Sequence, residues 1–284
     1  MTPKNKENQT GAEMSAHSKD DTVDTRLLTE AVQQIKQGLQ SLENWSNNIE
    51  NLTGKQARWI IHRCPTGRFL LDSQSLVDET IRKTDTWEGK QIGKLLELIK
   101  GNYAKNYDLV FLDIGAYLGW YSISMLKSGL FAEIHAFESN PENYAQLVAN
   151  VLLNDAIKAI HTHGCVVTDT RGDTPISLPV RRANRGWAEA GLATGFNPDF
   201  HVPNIVLDRH FSDLADRFVV AKIDVEGSEG KVLDGMERLV RSNLVLLQIE
   251  LYSRNQKILH RRLSSLGFKR LDSVQEDHFY FNGQ

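Results

Sequence analysis

Residues 110–122, Val-Phe-Leu-Asp-Ile-Gly-Ala-Tyr-Leu-Gly-Trp-Tyr-Ser, constrain the fold of this chain more than any other stretch. An apolar run ends at Asp113, Gly115 and Gly119 bracket a tight turn, and helix-compatible sequence follows. Strand, glycine loop and helix in that order hold a nucleotide-like ligand at the carboxyl end of a parallel strand. About twenty residues on, Ile134-His135-Ala136-Phe137 runs into Glu138, an acid placed to accept hydrogen bonds from ribose hydroxyls. A glycine turn in an unrelated α/β domain would produce the first of these signals. The spacing of Glu138 argues against it.

Such a unit has two common readings. A dinucleotide site closes backbone amides on a pyrophosphate, whereas S-adenosylmethionine has no phosphate and carries an ammonium and a sulfonium. A carboxylate at the end of the first strand repels the former and attracts the latter, so Asp113 favours the methyl donor.

The rest of the chain fits one large α/β domain with an appendage. Its 284 residues are 40% hydrophobic and 24% charged, a soluble globular composition. A net charge of -3 argues against nucleic acid as the main partner. No stretch approaches the ~20 apolar residues that span a bilayer, and the polar first residues lack a signal core. Cys64 and Cys165 are too few for a disulfide framework, and free thiols point to a reducing cytoplasm.

Residues 1–22, without Leu, Ile, Phe, Tyr or Trp, are expected to be disordered. Over 23–54, Leu28, Val32, Ile35, Leu39, Leu42 and Ile49 recur at alternating four and three spacing, with Asp24 as N-cap and Gly54 as C′ residue. The stripe fits either a coiled coil that joins two copies of the chain or an amphipathic helix lying on its own domain. The remainder, 55–284, alternates strand and helix. Strands are expected at 108–113, 132–138, 159–167, 218–224, 243–250, 268–272 and 277–281. Helices are expected at 90–103, 119–129, 141–153, 228–241 and 254–266. Alternation implies a mostly parallel seven-stranded sheet. The short spacer Ser273 to Asp277 forces the last two strands to pair antiparallel. Residues 168–206 break the pattern and read as a lid-like insertion.

Further segments carry a family resemblance: Asp113-Ile114-Gly115-Ala116, Phe137-Glu138-Ser139-Asn140-Pro141, Asn150 with Asn154, Lys222-Ile223-Asp224-Val225-Glu226-Gly227-Ser228-Glu229, and Ile249-Glu250. Together they resemble the FkbM-type family of S-adenosylmethionine-dependent methyltransferases over about residues 80–272. Members commonly carry Asn where this chain has Tyr117, and Pro where it has Ser139. The resemblance implies a Rossmann-like fold, S-adenosylmethionine as cofactor, and O-methylation of a hydroxyl on a sugar, glycan or natural product.

Roles follow for individual residues. Gly115 and Gly119 let the backbone approach the cofactor, Asp113 serves the loop and the cofactor's ammonium, and Glu138 serves the ribose. Ala116, Tyr121, Ser122, Ser139 and Asn140 complete the cofactor set, with Cys165 and Val166 beside adenine. An alcohol is a poor nucleophile until it loses its proton, so a base is needed. Asp224, Glu226 and Glu250 fall at the carboxyl edge of the sheet, and Lys222 shares a strand face with Asp224. Glu229 caps the following helix. A divalent metal held by the three acids is an alternative, since hard oxygen ligands suit magnesium. His161, His163, His201 and His210 are alternative bases. Two rival functions remain: an amine methyltransferase of protein or nucleobase, and a non-catalytic scaffold with a relic pocket.

Overall fold

The computed structural model describes residues 25–53, 57–102, 108–176, 200–252 and 256–283. The apolar run before the glycine loop is strand β3 (Leu109–Ile114), and all of its side chains are buried. Period two divides them: Leu109 and Phe111 enter one apolar cluster, while Val110, Leu112 and Ile114 enter another. Strand β9 (Phe218–Ile223) beside it repeats the division, with Phe218 and Val220 against Val219, Ala221 and Ile223. Strands apolar on both faces need cover on both, which gives three layers, helix on sheet on helix.

The central sheet adds β4 (Phe131–Glu138), β5 (Ile160–Gly164), β10 (Leu244–Glu250), β11 (Lys269–Val274) and β12 (Asp277–Phe281). Its order is β11-β12-β10-β9-β3-β4-β5. Strands β5, β4, β3, β9 and β10 are parallel. The last strand, β12, inserts between β10 and β11 and runs antiparallel to both, as the short spacer requires. The chain leaves β3 toward β4 and returns on the other side at β9. Strand order therefore reverses there, and a crevice opens at the carboxyl ends.

One face is covered by α3 (Gly89–Asn102), α4 (Trp120–Ser128) and α5 (Pro141–Leu153), together with α2 (Leu76–Thr84) and the hairpin β1 (Trp59–Cys64) and β2 (Gly67–Asp72). The other carries α6 (Leu207–His210), α7 (Glu229–Asp234), α8 (Glu237–Ser242) and α9 (Gln256–Ser265). The hairpin and α2 have no counterpart in the sequence reading. Helix α5 explains Asn150 and Asn154: their side chains act as a substitute strand for β2. Asn150 Oδ1 accepts from the Leu70 amide at 2.6 Å, and Asn154 bonds both the N–H and the C=O of Arg68.

Two expectations are corrected. The helix expected over 228–241 is two, α7 and α8, broken near Gly235. The strand over 159–167 splits at Cys165: β5 stays in the main sheet, and β6 (Val166–Val167) leaves it to pair with β8 (Phe200–Ile205). Strand β8 also pairs antiparallel with β7 (Asp173–Ile176), so both ends of the 168–206 insertion are strands, and its 177–199 portion lies outside the described residues.

The tail at 1–22 also lies outside them, as do Asp24 and Gly54. Helix α1 (Thr25–Thr53) follows the heptad-like stretch and lies against β1 and α5. Its contact face is fixed by charge: buried Glu43 accepts from Arg63 and Arg68, and Lys36 pairs with Asp155. Ile35 of the expected seam is 49% exposed.

At Gly235 an added Cβ would sit 2.3 Å from the Thr168 carbonyl oxygen, a backbone atom that cannot turn aside. Gly235→Ala should therefore cost roughly 1–3 kcal/mol in urea unfolding, whereas Gly93→Ala, with open space around it, should not destabilise.

Candidate active site

A cavity of about 360 Å³ opens where the strand order reverses. The carboxyl ends of β3, β4, β9 and β10 form its floor, and Ser75, Trp87 and Glu88 wall one side. Asp113, Gly115, Ala116, Tyr121, Glu138, Ser139, Cys165, Val166, Lys222, Asp224, Glu226 and Glu250 all line it. Gly119, Ser122 and Asn140 lie outside the lining and act one step back. Gly119 opens α4 with φ 85° against Leu147, Ser122 holds Asp113, and Asn140 caps α5 through the amides of Glu142 and Asn143.

The loop is set by backbone contacts. Gly115 has φ +84°, and a Cβ there would lie 1.8 Å from the Asp224 carbonyl oxygen. The glycine is thus required by the approach of the β9 terminus, a reason that sequence alone did not reveal. Gly115 and Ala116 both donate to the Phe137 carbonyl, and the Asp224 amide donates to Ile114. Glu88, Tyr117 and Glu226, all lining the cavity, have positive φ of 48°, 50° and 52°. Left-handed backbone in non-glycine residues persists only where surroundings over-determine it. For Tyr117 those surroundings are plain: its N–H donates to Glu138, and its hydroxyl donates to Asp78 and meets Ser75. Tyr117 thereby ties the loop to α2 and its N-cap.

Asp113 is buried and takes both the amide and the hydroxyl of Ser122 on Oδ2, while Oδ1 has no hydrogen-bond partner. Burial pushes its pKa up, and Lys222 and Ser122 oppose the shift. Glu138 accepts from Tyr117 and Asn140 amides at 2.8 and 2.7 Å. Burial still outweighs those bonds and pushes Glu138 up to about 7. Burial and the Glu138 charge push the Cys165 thiol up to about 12, so it lines the cavity as an inert small side chain.

The charged centre lies at the ends of β9 and β10. Lys222 sits in register between Asp113 and Gln248, with its Nζ 2.9 Å from Asp224 and 4.6 Å from the Tyr121 ring centre. Burial works against its charge, but Asp224, Glu88 and Asp113 outweigh burial and hold its pKa well above the ordinary value. Burial likewise opposes the Asp224 charge, and Lys222 overcomes that, leaving Asp224 below the carboxylate range. Burial, and then the Asp224 charge, drive Glu250 up to about 9, which favours its protonated form at neutral pH. Tyr121 donates to Glu88 and accepts from Gln248, which also donates to Asp277, tying the walls together. Glu229 begins α7 and accepts from the Gly227 amide. His161, His163 and His201 are absent from the lining, as is His210.

Comparison with known proteins places this geometry. The Methyltransferase FkbM domain profile matches residues 113–270. The chain belongs to the FkbM methyltransferase family. A curated relative, Methyltransferase sdnD of Sordaria araneosa, is 27% identical over 166 residues, 47% of this chain and 64% of that protein. Among solved structures, Methyltransferase FkbM from Methylobacillus flagellatus is 20% identical, with 62% of this chain and 43% of that chain covered at TM-score 0.42. TYW2 from M. jannaschii, in complex with AdoMet, is 14% identical with 80% and 85% covered at TM-score 0.38. The chain thus spans less than two thirds of the curated relative and of the FkbM structure.

The methyl donor of an FkbM domain is S-adenosylmethionine, and this cavity has the donor set for it. Glu88, Asp113, Asp224, Glu226 and Glu250 line it, and Lys222 is already paired, so cations are favoured over phosphate. The unpartnered Oδ1 of Asp113 is an acceptor suited to an ammonium, and a cation there favours its ionised form. Glu138 retains lone pairs for two hydroxyls. Trp87, Glu88, Ser75 and Tyr252 escaped the sequence reading. They belong to no local motif and reach the cavity only through tertiary packing.

Ribose hydroxyls are donors, so a role for Glu138 as their acceptor requires its ionised form. Below about 7 a proton must leave before they bind, so S-adenosylmethionine affinity should fall with decreasing pH, approaching about tenfold per unit. Calorimetry from about pH 8 to about pH 6 should show that slope in the wild type and lose it in Glu138→Gln. Equal slopes in both would remove Glu138 from donor recognition.

Proposed function

We propose that the chain is an S-adenosylmethionine-dependent O-methyltransferase acting on a hydroxyl of a sugar, glycan or natural product. The observation that carries this reading is the Lys222–Asp224–Glu250 array at the cavity floor. An amine is nucleophilic once neutral, but an alcohol must give up its proton as the new bond forms. An array that keeps one carboxylate ionised and a second one poised with a proton serves the harder case.

When bound, S-adenosylmethionine supplies a methyl group already activated on a sulfonium. The protein's own work is to align the acceptor oxygen and receive its proton. Asp224 is the ionised acid at neutral pH because Lys222 holds it so. Its acceptance of the hydroxyl proton leaves the pair doubly protonated beside a cation, and proton loss to water resets it. Glu226 and Tyr252, at the mouth beside them, are in place to orient the acceptor. The acidic lining and net charge of -3 support a neutral or cationic acceptor over nucleic acid. The two free cysteines support a reducing, cytoplasmic setting.

A mass-spectrometric transfer screen against saccharide and natural-product hydroxyls tests the reading, with Asp224→Asn, Glu226→Gln and Glu250→Gln run beside wild type. Methyl ethers should form, and Asp224→Asn should lower the rate roughly 10²–10⁴-fold. Deprotonation of Glu250 adds a second acceptor, so the wild-type rate should climb as pH rises toward about 9, a limb that Glu250→Gln removes. Methylamine products, or full rates in both Asp224→Asn and Glu226→Gln, would overturn the proposal.

A further inference from the structure

The histidines that the cavity leaves aside meet elsewhere. His135 on β4, His163 on β5 and His210 at the end of α6 bring ring nitrogens within 4.8 Å of one another. They gather on the α6 side of the sheet, where β5 is the edge strand. His135 Nδ1 lies 3.1 Å from His163 Nε2. The two rings are hydrogen-bonded at that distance, and two nitrogens of a tetrahedral zinc ion at about 2.0–2.1 Å are separated by roughly 3.3 Å, so little movement would make them a ligand pair. The His210 ring stands edge-on to His163, at 86° and 5.0 Å.

A second observation is independent of the cluster. His135 Nε2 is 2.7 Å from the Glu133 carboxylate. That contact places the His135 proton on Nε2, so without metal His135 Nδ1 accepts from His163 Nε2–H, and a metal would take both lone pairs once the His163 proton shifts to its Nδ1. A carboxylate that orients a histidine in this way is the usual outer partner of a metal ligand.

We propose that His135, His163 and His210 form a transition-metal site of the zinc class, with Glu133 orienting His135 and the fourth position left to water. Imidazole donors suit Zn²⁺ and its neighbours over magnesium or calcium. The site is structural in effect. It ties α6, and through it the return strand β8 of the insertion, to the sheet edge. The Phe137 ring stacks on His163 at 4.5 Å and lines the donor cavity, so the clamp stands one ring behind the methyl-transfer site.

The test uses untagged full-length protein, stripped with chelator and titrated with Co²⁺ as the optical probe and Zn²⁺ by calorimetry. One equivalent should bind, with visible Co²⁺ bands that Zn²⁺ abolishes and a melting temperature that rises with Zn²⁺. His210 is exposed, so His210→Ala should melt like the metal-free wild type yet bind at least about tenfold more weakly. Glu133→Gln should weaken binding by about tenfold at unchanged stoichiometry. No stoichiometric binding, or wild-type affinity in both His210→Ala and His163→Gln, would overturn the site. Neither result depends on methyl transfer.

Discussion

The buried ammonium of Lys222 is the constraint around which this molecule is arranged. A lone cation at that depth would be costly, and it is held by acids from three separate segments: Asp224, Glu88 and Asp113. Strand register makes this possible. Asp113, Lys222 and Gln248 stand side by side on β3, β9 and β10, on the face that carries Phe111, Val220 and Leu246 one step deeper. The apolar face thus becomes polar at one level across three strands, and the cavity begins at that level. Lys222 favours the Asp224 anion, while burial and that anion favour the protonated form of Glu250, so placement alone pushes the two acids apart.

The rest of the site is built to hold that arrangement still. Gly115 lets the β3 loop touch the β9 terminus, and the Phe137 carbonyl ties the same loop to β4. Three strained residues surround the cavity, and one of them, Tyr117, anchors the loop to α2 through Asp78 and Ser75. Gln146 extends that network by donating to both Asp78 and Leu70. Loop, α2 and hairpin therefore form one hydrogen-bonded shell over the donor side, and the sheet beneath supplies the rigid base.

Local order in the sequence exposed much of this, for definable reasons. The loop after Val110-Phe-Leu is legible because strand, glycine turn and helix are neighbours in the chain. Lys222 and Asp224 are legible as a pair because two residues apart on a strand share a face. The closing antiparallel strand follows from a spacer too short for a crossover. What stayed hidden depends on distant segments. No local signal says that Asp224 sits opposite Gly115, that β6 leaves the sheet one residue past Cys165, or that Glu88 will complete the acid ring. Spacing alone does not separate Gly119, Ser122 and Asn140, which support residues that face the cavity, from the motif residues that line it.

The central claim is that Lys222 divides one proton unequally between Asp224 and Glu250, and carbon-13 NMR of the two labelled carboxyl groups reads this most directly. At about pH 7 the wild type should show Asp224 ionised and Glu250 protonated, and Lys222→Met should raise the Asp224 titration toward that of its partner. Two ionised carboxylates at that pH, or an Asp224 titration indifferent to the loss of Lys222, would contradict the account.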